Sequence, residues 1–466
     1  MGWSQNPIIA LPARWTPLKD HPTQIDAFTS RKRFNVIPAG RRSGKTEIIG
    51  KRKMALRAMY AHDPAFPQYY SPYPDPKYFI AAPTRDQVKR IYWTDMKQLI
   101  PKEMLAKPPN ESNLILTLLT GAELYLLGLD KPERIEGSPW DWGLVDEIAN
   151  VKANAWMENI RPALSDRRGG CDFIGVPEGR NHYFDMYQKA LRSQEMHGED
   201  SEWGAYHWLS ADILPEEEIM AAKEDLDELV YQQEYEASFV VFAGLAYYNF
   251  DRKRNVSRCR QFYSPDAPLI FTFDFNVSPG TAGVIQEYAE WPEGQRPKKE
   301  GGTCTSVIGE VFIPKSSNTE RVCKKLIADW GDHRGQIVCY GDATGGASGT
   351  AKVKGSDWDL IRQSLTRHYG DERVSFKVKR SNPRERQRVN AVNSRIKNMA
   401  GDIRLQIDGA KAPRTVEDFE GTRTIEGTAG EIDKKSTPML THLTDGIGYY
   451  IASKFPVIRS QAATGY

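Results

Sequence analysis

The sequence predicts an α/β protein of two successive domains, the first on a mainly parallel sheet and the second on a mixed one. Three observations predict this. Between residues 34 and 176, short apolar runs alternate with helix-period stretches, the pattern of a sheet covered by helices. A glycine-rich phosphate-loop pattern follows the first run, and a run ending in two acids lies about 100 residues further on. Past residue 265 a second set of apolar runs begins, two of them placed to form a hairpin, and a helix-period stretch closes it. At 466 residues the chain is also too long for a single core.

The first-half strands are expected at Phe34–Ile37, Tyr78–Ala82, Glu123–Leu127, Gly143–Val145 and Cys171–Val176, each ended by polar, Gly or Pro residues. Helices are expected between them at Thr46–Tyr60, Arg85–Ile100 and Asn181–Arg192. An acidic helical segment within 214–239 closes a first domain of residues 1–242. Periodicity fades over 243–264, where Asp251-Arg252-Lys253-Arg254 and two prolines suggest an exposed linker. The second domain, 265–466, is expected to hold strands at Leu269–Phe273, Gly283–Tyr288, Ser306–Ile313, Gln336–Tyr340, Val374–Val378 and Ile403–Ile407. Its helices are expected at Thr319–His333, Pro383–Met399 and Leu440–Ser453.

Composition narrows the class. A 40% hydrophobic and 27% charged content is that of a globular protein. No run of eighteen apolar residues occurs and the first residues lack a signal-peptide pattern, so neither membrane insertion nor export is expected. The five cysteines, Cys171, Cys259, Cys304, Cys323 and Cys339, are scattered without CxxC spacing, which fits reduced thiols. The net charge of +2 conceals an asymmetry: residues 1–250 carry 29 Lys/Arg against 35 Asp/Glu, the remainder 34 against 26. A basic second half is the footprint of a polyanion partner.

The phosphate loop reads Ala39-Gly40-Arg41-Arg42-Ser43-Gly44-Lys45-Thr46. Such a loop cradles phosphate oxygens with backbone N–H groups at a helix N-terminus. Its lysine reaches the terminal phosphates and its hydroxyl ligates Mg²⁺. Ala39 stands where the pattern has its first glycine, leaving Gly40 to supply the turn. In Leu144-Val145-Asp146-Glu147 the strand-end pair lets Asp146 hold the Mg²⁺ shell and Glu147 orient the attacking water. Gln24 sits where an amide could read adenine, or is a solvated residue on a helix.

Three aspartates of the second half end or interrupt apolar runs: Asp274 after Phe271-Thr272-Phe273, Asp342 after Cys339-Tyr340-Gly341, and Asp445 within Leu440–Ile451. Carboxylates converging from separate elements can hold two Mg²⁺ or Mn²⁺ ions for phosphodiester hydrolysis. An acid on a core-facing helix, as Asp445 would be, is costly unless paired or metal-bound. His442 shares its helix face, as a packed histidine or a contact to metal-bound water. Lys377, Lys379, Arg380, Arg384, Arg386, Arg388, Arg395 and Lys397 cluster between the second and third acids. Arg384, Arg388 and Arg395 are spaced to share one helix face, expected to track DNA phosphates while Val389, Val392 and Ile396 turn inward.

With these motifs on the page, residues 20–190 resemble the ATPase domain of tailed-phage large terminases. The resemblance rests on the Gln24 segment, the arginine-bearing loop, Ala82-Pro83-Thr84-Arg85-Asp86-Gln87, Arg134-Ile135-Glu136-Gly137 and the Asp146-Glu147 pair. Val176-Pro177-Glu178-Gly179 stands where the family has a hydroxyl-bearing coupling motif, so the hydroxyl is absent here. The three aspartates in this order resemble the family's RNase H-like nuclease over roughly residues 265–455.

The resemblance implies a P-loop, RecA-like ATPase followed by an RNase H-like metal nuclease, using ATP with Mg²⁺ and a pair of Mg²⁺ or Mn²⁺ ions. It implies an ATP-driven motor that moves double-stranded DNA into a procapsid and cuts concatemers. Its partners would be the portal protein, a small terminase subunit and further copies in a pentameric ring. Its place would be the bacterial host cytoplasm, docked transiently on the procapsid. Arg41 matches the family's candidate cis arginine finger and Arg134 the candidate trans finger. A repair or restriction helicase-nuclease is the alternative, but it would need a second RecA-like domain. A non-catalytic DNA-binding scaffold is a further one, which the intact Lys45, Glu147 and three aspartates oppose.

Overall fold

The computed structural model describes residues 20–240, 244–275, 279–289, 302–343, 356–425, 428 and 430–457. The chain divides into two compact units, Met1–Ile219 with Gln232–Val241, and Met220–Tyr231 with Phe242–Tyr466.

The first unit carries strands β1 (Phe34–Pro38), β2 (Lys77–Ala82), β3 (Ile115–Thr117), β4 (Glu123–Gly128), β5 (Trp142–Asp146), β6 (Gly170–Gly175) and β7 (Trp203–Ala205). They form one sheet in the order β3-β4-β2-β5-β6-β1-β7, parallel throughout except for the β3–β4 pair. β1, which delivers the phosphate loop, and β5, which delivers the two acids, are thus separated by one strand, β6. Every residue of β1, β5 and β6 is buried, because helices cover both faces. Ile37, Ile80 and Leu144 join the core on one face; Val36, Phe79 and Val145 join the core on the other. Gly143 leaves room for the Phe79 ring, which fills the space where a Cβ would stand.

The second unit carries β8 (Val256–Ser257), β9 (Leu269–Asp274), β10 (Gly280–Tyr288), β11 (Cys304–Ile313), β12 (Ile337–Gly341), β13 (Val374–Phe376) and β14 (Leu405–Asp408). β9, β10 and β11 form an antiparallel meander, and β12 and β13 extend it in parallel from β9 in the order β13-β12-β9-β10-β11-β14-β8. That order and direction make an RNase H-like mixed sheet. Helix Thr319–Trp330 buries Val322, Cys323, Leu326 and Trp330. On the other face helices Glu385–Ile396 and His442–Lys454 pack with Val389, Val392, Ile447 and Ile451 in the core.

The anticipated strands all occur, with shifted ends. β3, β7 and β8 were not anticipated, being three, three and two residues long, too short to show a period. Helices Asp357–Tyr369 and Pro413–Gly421 were also not anticipated. The stretch 243–264 differs from an exposed linker in its described part. Ala246 and Tyr247 lie in the core, Asn255 is buried and bonded to the Ile396 and Leu405 carbonyls, and β8 edges the sheet. Its basic run had masked the buried residues on either side. The acidic segment is two helices, Glu216–Asp225 and Glu228–Glu234. All five cysteines are free and buried. Among the described residues no helix is long and apolar enough to cross a membrane.

Candidate active sites

The phosphate loop is built by close approach. Ala39 continues β1, donating to the Gly175 carbonyl at 3.2 Å and bridging Trp208, so this position is extended and needs no glycine. Gly40 serves proximity rather than a left-handed turn: a Cβ there would collide with Ser210 Oγ and stand 2.5 Å from the Tyr235 carbonyl. The turn itself falls on Arg42 (φ 55°) and Gly44 (φ 85°). Ser43 is held by Trp208 Nε1, which donates to its carbonyl at 3.0 Å, and Gln24 Nε2 donates to the same oxygen at 2.7 Å. Gln24 is therefore a buried brace of the loop and not a solvated helix residue.

The helical segment Thr46–Lys53 leaves the loop and is anchored below it by a buried ion pair. Lys53 Nζ lies 2.9 Å from Asp172 Oδ1 of β6 and donates to the Ala27 carbonyl at 3.0 Å, with both charged side chains fully buried. Asn35 and Trp142 donate to the same carboxylate at 2.7 and 2.8 Å, satisfying it.

Over this base the candidate ATPase residues converge. Lys45 is buried with its ammonium on the Gly40 carbonyl at 3.2 Å. Thr46 Oγ1 donates to Asp146 Oδ2 at 3.4 Å, so hydroxyl and carboxylate come together as a pair of hard oxygen donors, as a Mg²⁺ shell needs. Tyr92, which sequence reasoning missed, donates to that oxygen at 2.6 Å. Glu147 is held in the left-handed region at φ 52°, a cost borne at functional positions. Burial, then the Asp146 charge, pushes the Glu147 carboxyl up to about 7, while Lys45 and Arg41 oppose this. Burial likewise lowers Lys45, opposed by Glu147 and Asp146. Arg41 pairs with Glu234, Nε to Oε2 at 3.0 Å; Glu234 carried no sequence signal. Arg134 lies elsewhere, on the turn Pro132–Ile135, half-exposed and 3.4 Å from Asp130.

In the second unit, Asp274 ends β9 and Asp342 follows β12. The parallel register Gly341↔Phe273 brings the two acids to adjacent strand ends, and Asp342 N donates to the Phe273 carbonyl at 3.3 Å. Helix His442–Lys454 crosses above them, and its Gly446 packs on Thr272 and Phe273, where a Cβ would still fit 3.4 Å from Thr272 Oγ1 and 3.6 Å from the backbone. The Asp274 charge thereby acts on Asp445, whose carboxyl is raised first by burial and held back by Arg388 and Lys434. Burial pushes the Tyr449 phenol up, and the charges of Asp342, Asp445 and Asp274 act in the same direction against the opposing Arg388.

The acids are held by protein partners. His442 Nδ1 bonds Asp274 Oδ2 at 3.0 Å and Asn382 Nδ2 donates to Asp342 Oδ1 at 2.7 Å. Arg388 and Lys434 take the two oxygens of Asp445, at 2.6 and 2.8 Å. Among the described residues no three His, Cys, Asp or Glu side chains form a ready metal cage. The carboxylate oxygens of Asp274, Asp342 and Asp445 are donors of the kind that hard cations take.

The basic helix differs from its expected role. Arg388 and Arg395 are buried, Arg388 on Asp445 and Arg395 on Thr303 and Thr305 at 2.7 and 2.9 Å. A glycine at 448 makes space for Arg388, since a Cβ there would meet Arg388 Cγ at 2.7 Å. Neither can track DNA. Lys377, Lys379, Arg380 and Arg384 are exposed and flank Asn382, beside Asp342.

Residues 36–254 match the family model of the terminase large subunit, T4likevirus-type, N-terminal domain. The chain is 27% identical over 263 residues to the terminase large subunit of Thermus virus P23-45, covering 49% of this chain and 51% of that protein. It is 23% identical over 240 residues to the large subunit of Escherichia phage T5, covering 47% and 53%. The match spans about half the length of these curated relatives. In fold, it is similar to the large terminase of a thermophilic bacteriophage, with TM-score 0.57 and 16% identity over 94% of this chain and 99% of that one.

Proposed function

We propose that this relative of the terminase large subunits is itself the large subunit of a viral DNA-packaging terminase. Its first unit hydrolyses ATP to drive double-stranded DNA into a procapsid, and its second cuts concatemeric DNA. The observation that carries this reading is the pairing of two sites in one chain. Lys45, Thr46, Asp146 and Glu147 converge in the first unit; in the second, Asp274 and Asp342 stand at adjacent strand ends, and His442, on the helix that carries Asp445, bonds Asp274.

In the first site Lys45 moves from the Gly40 carbonyl onto the terminal phosphate, and the loop N–H groups hold the rest of the triphosphate. Thr46 and Asp146 would hold Mg²⁺, which neutralises phosphate charge when bound. Glu147, at the end of β5, orients and deprotonates water; its elevated affinity for protons suits a base working near neutrality. In the second site Asp274, Asp342 and Asp445 would hold Mg²⁺ or Mn²⁺, which activate water and stabilise the leaving oxygen. His442 fixes the Asp274 carboxylate and Asn382 fixes that of Asp342. Lys377, Lys379, Arg380 and Arg384 bind the DNA backbone beside Asp342 without reading sequence.

The portal, the small subunit and a ring of copies are the partners that this function requires, in the host cytoplasm and on the procapsid. A helicase-nuclease is disfavoured because the second sheet is an antiparallel meander at β9, β10 and β11, not a second RecA-like sheet. The test is uptake: procapsids carrying a portal are mixed with this protein, DNA and ATP. Nuclease-protected DNA supports the reading; ATP hydrolysis without protection under any portal tested refutes packaging.

A further inference from the structure

The second sheet leaves part of one strand without an outer neighbour. β14 pairs with β11 only at Thr305, Ser306 and Val307; beyond Val307 the outer edge of β11 pairs with no strand among the described residues. Beside this edge lies an open trough of about 980 Å³. Helix Thr319–Trp330 lines it with Arg321, Lys324 and Lys325, and Lys411 and Arg414 line it around the start of helix Pro413–Gly421. All five cations are exposed. The two helices belong to the cores on opposite faces of the sheet, so positive charge flanks the edge from both sides. Val311 and Ile313 pack toward the first helix, whereas the Phe312 ring lies under Arg414, 5.3 Å from its guanidinium, with Met439 and Leu440 also lining the trough.

The acids of the trough are committed elsewhere. Glu310 accepts from the Arg414 and Thr415 N–H groups at 2.9 and 2.7 Å, and buried Asp418 accepts from Leu443 N–H at 2.9 Å. Glu417 pairs with Arg414, and Lys324 and Lys325 pair with Glu320 and Asp329 on their own helix, exposed pairs that water weakens and another carboxylate can displace. Bare strand edges are commonly guarded by charges on the strand itself. Here Glu310, the one charged residue from Ile308 to Ile313, is turned onto the helix, which leaves the edge unguarded. Such an edge offers N–H donors and carbonyl acceptors together; another peptide matches both, while a phosphodiester carries acceptors alone. We propose that the trough is a docking site for an extended acidic segment of a partner protein, which adds a strand to β11. Successive side chains of an added strand point to opposite faces. Its carboxylates meet Arg321, Lys324 and Lys325, and its alternate, apolar side chains cover Phe312, Met439 and Leu440. None of the five cations belongs to either proposed catalytic site.

The test selects peptides and then reads how they bind. A surface-displayed library of random peptides about eight residues long, the length of an ordinary strand, is sorted against the full chain. Enriched sequences should alternate Asp or Glu with apolar residues. A selected peptide carrying a fluorophore should bind the double variant Arg321→Glu, Lys325→Glu at least about tenfold more weakly, while the melting temperature of that variant stays with the parent's. N-methylation of every second peptide residue blocks one edge of a strand. One of the two alternate sets should weaken binding at least about tenfold, and the other by less than about twofold. The affinity of the double variant for duplex DNA should stay within about twofold of the parent's. No enrichment of acidic sequences, undiminished binding by the double variant, or equal effects of the two methylated sets would overturn the proposal. So would a loss of duplex affinity as large as the loss for the peptide, which would make the trough a DNA surface.

Discussion

Arg388 reaches under the last helix to hold Asp445 at 2.6 Å, with both side chains 4% exposed. An arginine predicted to face DNA is instead the buried counter-charge of a predicted metal ligand. Removing Arg388 leaves Asp445 with the half-exposed Lys434 alone, so the loss should fall below the roughly 3–5 kcal/mol of a fully stranded buried charge. Arg388→Ala should therefore lower the urea midpoint of the second unit, while Arg384→Ala should change its stability by no more than about 0.5 kcal/mol. Equal midpoints for the two variants would show that the Arg388–Asp445 pair contributes nothing to the fold.

DNA affinity should follow the exposed cations. Charge reversal at Lys379 and Arg384 should weaken binding equally for unrelated sequences, and the slope of log affinity against log salt should flatten by about one per lost phosphate contact. Fluorescence anisotropy at several salt concentrations reads both. An unaltered salt slope would place the DNA track elsewhere.

How far the sequence foretold these sites depends on what each residue touches. Lys45, Asp146, Asp274 and Asp342 were legible because each follows an apolar run that becomes a strand, and a strand end fixes where a side chain emerges. Arg388 and Arg395 were misread because helix spacing gives a face but not what lies opposite it, and here Asp445 and Thr305 lie opposite. Tyr92, Glu234 and Lys434 were invisible for the same reason. Each reaches its partner, Asp146, Arg41 or Asp445, from a different element. Gly40 was expected to supply the turn, which falls instead on Arg42 and Gly44; the crowding by Ser210 and Tyr235 that requires a glycine there comes from more than 160 residues away in the chain.

Stability should carry a pH signature from Asp227. Burial, opposed by backbone N–H donors, raises its carboxyl from 3.8 to about 7. The folded state therefore binds this proton more tightly than the unfolded state. Its contribution is complete below about pH 4 and is lost as pH rises through 7. Asp227→Asn keeps an acceptor for the Val230 N–H and cannot ionise. Its melting temperature relative to the parent should be higher at pH 8 than at pH 5. A difference independent of pH would mean that Asp227 does not hold its proton in the fold.

Within the proposed ATPase site, Lys45→Ala and Glu147→Gln should fail differently. Losing Lys45 removes a phosphate contact, so nucleotide affinity should fall along with turnover. Losing the Glu147 carboxylate should leave affinity within about twofold and lower turnover by at least about 10²-fold. Titration and single-turnover hydrolysis separate the two. Hydrolysis by Glu147→Gln at the parental rate would exclude Glu147 as the base.

The most direct measurement pairs both activities in the same two variants. Glu147→Gln and Asp342→Asn are each assayed for ATP hydrolysis and for Mn²⁺-dependent cutting of plasmid DNA. Two independent centres in one chain predict a crossed result: Glu147→Gln cuts without hydrolysing ATP, and Asp342→Asn hydrolyses ATP without cutting. Loss of both activities in both properly folded variants, or full retention of cutting by Asp342→Asn, would contradict it.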